Sequence, residues 1–108
     1  MFTLNNDESV NMCQGDAGSV LYHLDNFTLE KEDKACFIVH DDGQVLFKKY
    51  IENLEHGIGY FCFDSDDTLN IHPGKYKYDI VVDIVGNGTV TTHSNNDFII
   101  DRSWSNEL

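Results

Sequence analysis

The sequence predicts an all-β fold, an antiparallel β-sandwich of seven to nine short strands. Three observations carry this. Turn-forming residues recur at intervals of about ten positions. No long segment repeats apolar residues at helical spacing. One stretch, Leu69 to Val85, holds a long alternation in which Tyr76, Tyr78, Ile80, Val82 and Ile84 fall on one face. Lys75, Lys77, Asp79 and Asp83 fall on the other, which is the pattern of a half-buried strand. Pro73 and Gly74 set the turn before it, and Val81 and Val85 imply partial cover on the polar side.

The other elements follow in chain order. Phe2 to Leu4 reads as a short strand, Asn5 to Glu8 as a polar turn, and Ser9 to Cys13 as a second apolar alternation. Gln14 to Gly18 is a loop by composition. Val20, Tyr22 and Leu24 then alternate with Ser19, His23 and Asp25. Asn26 to Lys34 is charged and weakly patterned, a connection with room for one helical turn. Ala35 to His40 suits a strand near the centre of a sheet, and Asp41-Asp42-Gly43 is hairpin-turn chemistry. Gln44 to Glu52 is the return strand. Its adjacent Lys48 and Lys49 face opposite sides, as on an edge. Asn53 to Gly57 reads as a loop and Ile58 to Phe63 as a strand with Phe61 and Phe63 in phase. Gly57 and Gly59 are read as a turn entering that strand. Asp64 to Leu69 is a capped helical turn. Asn87-Gly88 turns the long strand into Thr89 to His93, and Ser94-Asn95-Asn96 turns the chain again into Phe98-Ile99-Ile100. The sandwich is expected over residues 1–101, with a frayed tail over 102–108.

Composition narrows the function classes. A chain of 108 residues is one domain, and 7 basic against 19 acidic residues give a net charge of −12. Such a surface repels phosphate backbones and anionic membranes, so neither nucleic acid nor membrane is an expected partner. No basic-then-apolar leader and no membrane-length apolar run is visible. Cys13, Cys36 and Cys62 lack paired or C-x-x-C spacing, so they are expected as free core residues in a reducing compartment. The sequons at Asn26 and Asn87 are read as accidental, Asn87-Gly88 being turn chemistry.

Candidate chemistry is sparse. Asp64, Asp66 and Asp67 are dense enough to attract calcium, but helix capping accounts for the same residues. His23, His40, His56, His72 and His93 are scattered, with no metal-ligand spacing. No nucleophile elbow, phosphate loop or dinucleotide fingerprint is present, so no cofactor and no enzymatic activity are expected. A small enzyme using His72 or Asp79 is the weakest alternative. The aromatics, seven Phe, five Tyr and one Trp, fall mostly in phase with aliphatics and read as core. On an exposed face they would instead stack on sugars, which keeps a carbohydrate-binding or adhesion module as the principal alternative. Trp104, flanked by Ser103 and Ser105 in a polar tail, is a candidate partner anchor.

The paired tyrosines at the start of the long strand resemble the corner of an immunoglobulin-like sandwich, where a tyrosine ties its strand back to the preceding loop. The order of features also resembles the N-terminal immunoglobulin-like domain of phage baseplate upper proteins and related prophage tail components. The matching pieces are Gly15-Asp16, Phe61-Cys62-Phe63, Asp67-Thr68-Leu69, the segment Gly74-Lys75-Tyr76-Lys77-Tyr78-Asp79-Ile80, and Thr91 through Ile100. The resemblance implies a structural motif at Gly74, Tyr76, Tyr78 and Asp79, with no catalytic residues. It further implies a structural or interaction module in a virion tail, or in the host cytoplasm before assembly. That module would dock to tail or baseplate proteins, or to copies of itself, by a sheet face or edge strand.

Overall fold

A computed structural model of the chain describes residues 2–23 and 29–103. Nine strands and one helical turn follow in order. They are β1 (Phe2–Leu4), β2 (Val10–Cys13), β3 (Gly18–Tyr22), β4 (Lys34–Asp41), β5 (Gln44–Tyr50), β6 (Glu52–Glu55) and β7 (Ile58–Phe63), then α1 (Ser65–Leu69), β8 (Gly74–Ile84) and β9 (Gly88–Asp101). Six strands form one sheet in the order β1-β2-β9-β8-β4-β5, and three form a second in the order β3-β7-β6. The all-β expectation is met. One pair departs from the antiparallel pattern, because β2 runs parallel to β9, with Val10 opposite Phe98 and Met12 opposite Ile100. The larger sheet is therefore mixed.

The alternation in each strand fixes what lies between the sheets. Phe37, Tyr78 and Phe98 from the large sheet meet Tyr22, Phe61 and Phe63 from the small one. Phe37 is the hub. It stacks on Tyr78 at 4.3 Å and meets Phe63 edge-on at 5.1 Å and Phe61 at 5.5 Å. Such ring pairs contribute beyond their buried area, and they span both layers. Tyr76 is half-buried at the margin of this core, facing inward as its phase requires.

Both expected hairpins form with small shifts. Asp42 and Gly43 take φ of 51° and 80°, the left-handed pair that a two-residue turn needs between Asp41 and Gln44. The second turn sits one step earlier than Asn87-Gly88: Val85, Gly86 and Asn87 make it, closed by the Asn87 amide donating to the Ile84 carbonyl at 2.9 Å.

Three expectations need correction. The return strand ends at Tyr50, and the segment expected as a loop over Asn53 to Gly57 contains β6. There the chain changes sheets. The Ile51 amide still bonds the Ala35 carbonyl at 2.9 Å, while Glu52 already pairs with Tyr60 of β7. Second, Ser94-Asn95-Asn96 is no turn. Pairing moves from Tyr78↔Asn96 to Val82↔Val90, so β8 advances 4 residues while β9 covers 6. The two extra residues are absorbed as bulges, with Asn95 at φ 54°. Third, the cysteines are free but not core: Cys13, Cys36 and Cys62 are half-buried and out of phase with the buried residues beside them. Of the connection over 26–34, residues 29–33 carry a turn, not a helix, and 26–28 lie outside the described residues.

Candidate functional site

Several of the motif pieces singled out in the sequence tie loops to strands. Thr68, fully buried in α1, accepts the Gly15 amide on its hydroxyl at 2.9 Å. Gln14 donates its side-chain amide to the carbonyls of Leu69 and Ile71 at 3.1 and 2.8 Å. Gly15 holds φ 82°, and a Cβ there would already touch the Leu69 side chain. The Tyr76 hydroxyl donates to the His72 carbonyl at 2.5 Å, closing the Pro73-Gly74 turn onto its own strand. The Tyr78 hydroxyl donates to the Glu8 carbonyl, fastening β8 to the loop between β1 and β2. Each contact fixes backbone. Trp104 lies outside the described residues.

The acidic groups are mostly committed. Asp67 accepts the Asp64 amide at 2.7 Å in a capping arrangement and pairs with the Lys49 ammonium at 3.0 Å. Burial pulls Lys49 toward its neutral form, but hydrogen bonding and charge from Asp67 and then Asp64 outweigh this and hold it above its ordinary value. Lys48 points the other way, to solvent, as the edge expectation requires, and β5 ends its sheet. Asp79 lies 2.9 Å from His40 Nε2 and accepts the Asn95 amide at 2.8 Å. Burial raises its carboxyl, and those two hydrogen bonds overcome the effect and leave it below the usual carboxylate range. That pair fastens β4 to β8 and holds the bulge of β9. Among the described residues, no three His, Cys, Asp or Glu side chains are placed to hold a metal ion. A cleft of about 700 Å³ lies beside the β8–β9 turn, lined in part by Glu30, Asp33, Ile84 and Val85. Asp33 is spent on the Glu30 and Val85 amides, at 2.8 and 3.0 Å.

What remains uncommitted is a surface. On the outer face of the small sheet, Leu21 of β3 stands opposite Tyr60 of β7, and Ile58 follows on the same face. They are 51%, 41% and 41% exposed. Glu52 and Glu55 of β6 stand opposite Tyr60 and Ile58, giving the apolar strip an acidic margin. Edges differ as well. β5 carries Lys48 and Lys49, β6 carries Glu52 and Glu55, and β1 has 3 residues. β3, at the remaining edge, has no charged residue in Gly-Ser-Val-Leu-Tyr. Charge and brevity guard edges against pairing with other chains, and β3 has neither guard to the same degree.

The sequence held the signal for this face. Phe61 and Phe63 in phase place Ile58, Tyr60 and Cys62 on the opposite side, and Val20 and Tyr22 do the same for Leu21.

Compared with family models, curated proteins and solved structures, the chain matches none. No helix among the described residues is long and apolar enough to cross a membrane.

Proposed function

We propose that the chain is an immunoglobulin-like sandwich serving as a non-enzymatic docking module of a phage or prophage tail. Strand order supports the first part. Lettered in the immunoglobulin scheme, β9, β8, β4 and β5 take positions G, F, C and C′, and β3, β7 and β6 take B, E and D. Tyr76 at the start of β8 hydrogen-bonds four residues upstream, as a tyrosine corner does. The tail assignment rests on the resemblance of the G-x-Y-x-Y-D-I segment, Gly74 to Ile80.

One observation carries the docking reading: Leu21, Ile58 and Tyr60 share an exposed face beside an edge strand with no charged residue, while Asp67 and Asp79 are paired with Lys49 and His40. The carbohydrate alternative is weaker on geometry. The exposed Tyr50 pairs with Cys36 on the outer face of the large sheet, and Tyr60 lies on the outer face of the small one. These exposed rings point in opposite directions, so they make no platform together. The test is affinity capture by the tagged chain from prophage-induced lysate of the source cells, with mass spectrometry. Recovery of tail or baseplate proteins is expected; a capture holding none of them refutes the tail assignment.

A further inference from the structure

Resting on that docking reading, we propose that the outer face of the small sheet binds a protein segment presenting apolar side chains beside lysine or arginine. Leu21, Tyr60 and Glu52 form one row across β3, β7 and β6, and Ile58 and Glu55 belong to the next. Directly opposed side chains in a sheet lie about 5 Å apart. A partner therefore meets apolar contact on two strands and, one strand spacing further, a line of carboxylates. A cation beside an apolar side chain satisfies both.

Charge selects this occupant over others. With a net charge of −12, a second copy is repelled, and so is a nucleic acid. A basic partner is steered in. The outer face of the large sheet does not compete on the same terms. There Asp97 is bracketed by Lys77 at 2.5 Å and Lys75 at 3.3 Å, and Asp79 is held by His40, so these two carboxylates are paired within the chain, whereas Glu55 on the small sheet has the exposed His56 at 3.6 Å.

The test is an amide-shift titration of the full, isotope-labelled chain with an alternating lysine–valine octapeptide, using the glutamate–valine octapeptide as the contrast. Shifts are expected to concentrate on Leu21, Glu52, Glu55, Ile58 and Tyr60, with the lysine peptide alone. Glu52→Gln with Glu55→Gln should weaken binding about tenfold. Leu21→Ser with Tyr60→Ser should abolish it while lowering the melting temperature by a few degrees only, both residues lying outside the core. Shifts spread over acidic turns such as Asp41–Asp42 and Asp64–Asp66 would mean attraction by charge alone and would overturn the proposal. So would shifts centred on the large sheet, no localised response, or sedimentation showing self-association through Leu21 and Tyr60. Capture of tail proteins together with any of these results would remove this face and keep the docking reading; capture without tail proteins would count against the tail assignment instead.

Discussion

Adjacent residues of β7 should respond oppositely to the same truncation. Phe61 is fully buried, with ring centroids 5.4 Å from Tyr22 and 5.5 Å from Phe37, so Phe61→Ala opens a cavity between the two sheets. Truncating a buried phenylalanine costs about 3–5 kcal/mol. A domain of this size has a total stability of about 5–15 kcal/mol, so the variant should keep the fold on a reduced margin. The melting temperature should fall by roughly 12–20 °C, at about 4 °C per kcal/mol. Tyr60→Ala, one residue away on the opposite face, loses its cross-strand contact with Leu21 and should cost about 1 kcal/mol or less. Urea titrations followed by far-ultraviolet circular dichroism would measure both. A one-residue slip in register would exchange every side chain between core and solvent. Equal losses, or the larger loss at Tyr60, would refute the inside–outside assignment on which the proposed docking face depends.

Three further outcomes follow. Gly59→Ala should destabilise by about 1–3 kcal/mol, because its new Cβ would lie 2.6 Å from Ile51 Cγ1 and 2.7 Å from its Cδ1, and the Gly59→Ala cost should shrink in an Ile51→Ala background, which lacks both atoms, as read by a denaturant double-mutant cycle. Asp33→Ala leaves the Glu30 and Val85 amides without their acceptor and should cost about 1–3 kcal/mol, read as faster hydrogen exchange at Val85 and a lower melting midpoint. Asp79 is held below its ordinary pKa, so its contribution to stability is present above the unfolded value near 3.8 and disappears as pH falls through the native value. Asp79→Asn should therefore lower stability at neutral pH and flatten the acid limb of the stability profile; an unchanged acid limb would show that the His40 and Asn95 contacts do not stabilise the fold.

How much of the fold was legible depends on where each strand's information lies. β8 was readable throughout because its own residues alternate, and the Asp42-Gly43 turn because both positions favour left-handed backbone. β6 was not readable. Glu-Asn-Leu-Glu carries no apolar alternation, and its strand character comes from pairing with β7 after Ile51 passes from one sheet to the other. Ser94-Asn95-Asn96 has turn chemistry that serves a bulge equally well. The difference is made by β8, which continues unbroken opposite it and offers the Asp79 carboxylate to the Asn95 amide. Cys36 was misplaced because the apolar run from Ala35 to His40 hides its own phase, whereas Cys62 between two in-phase phenylalanines did not have to be. The exposed face of the small sheet went unread although its signal was present, because the in-phase residues Val20, Tyr22, Phe61 and Phe63 draw attention to the core and leave Leu21 and Tyr60, at the solvent phase, unremarked. Its acidic margin carried no such signal, because Glu52 and Glu55 join it only through β6.

The most direct test of the account is side-by-side capture from prophage-induced lysate by three chains: the native sequence, Leu21→Ser with Tyr60→Ser, and Lys48→Ser with Tyr50→Ser on the other sheet. Tail proteins should be retained by the native and third chains and lost by the second, all three showing the same circular dichroism spectrum. Retention by the second chain, or loss by the third alone, would contradict the account.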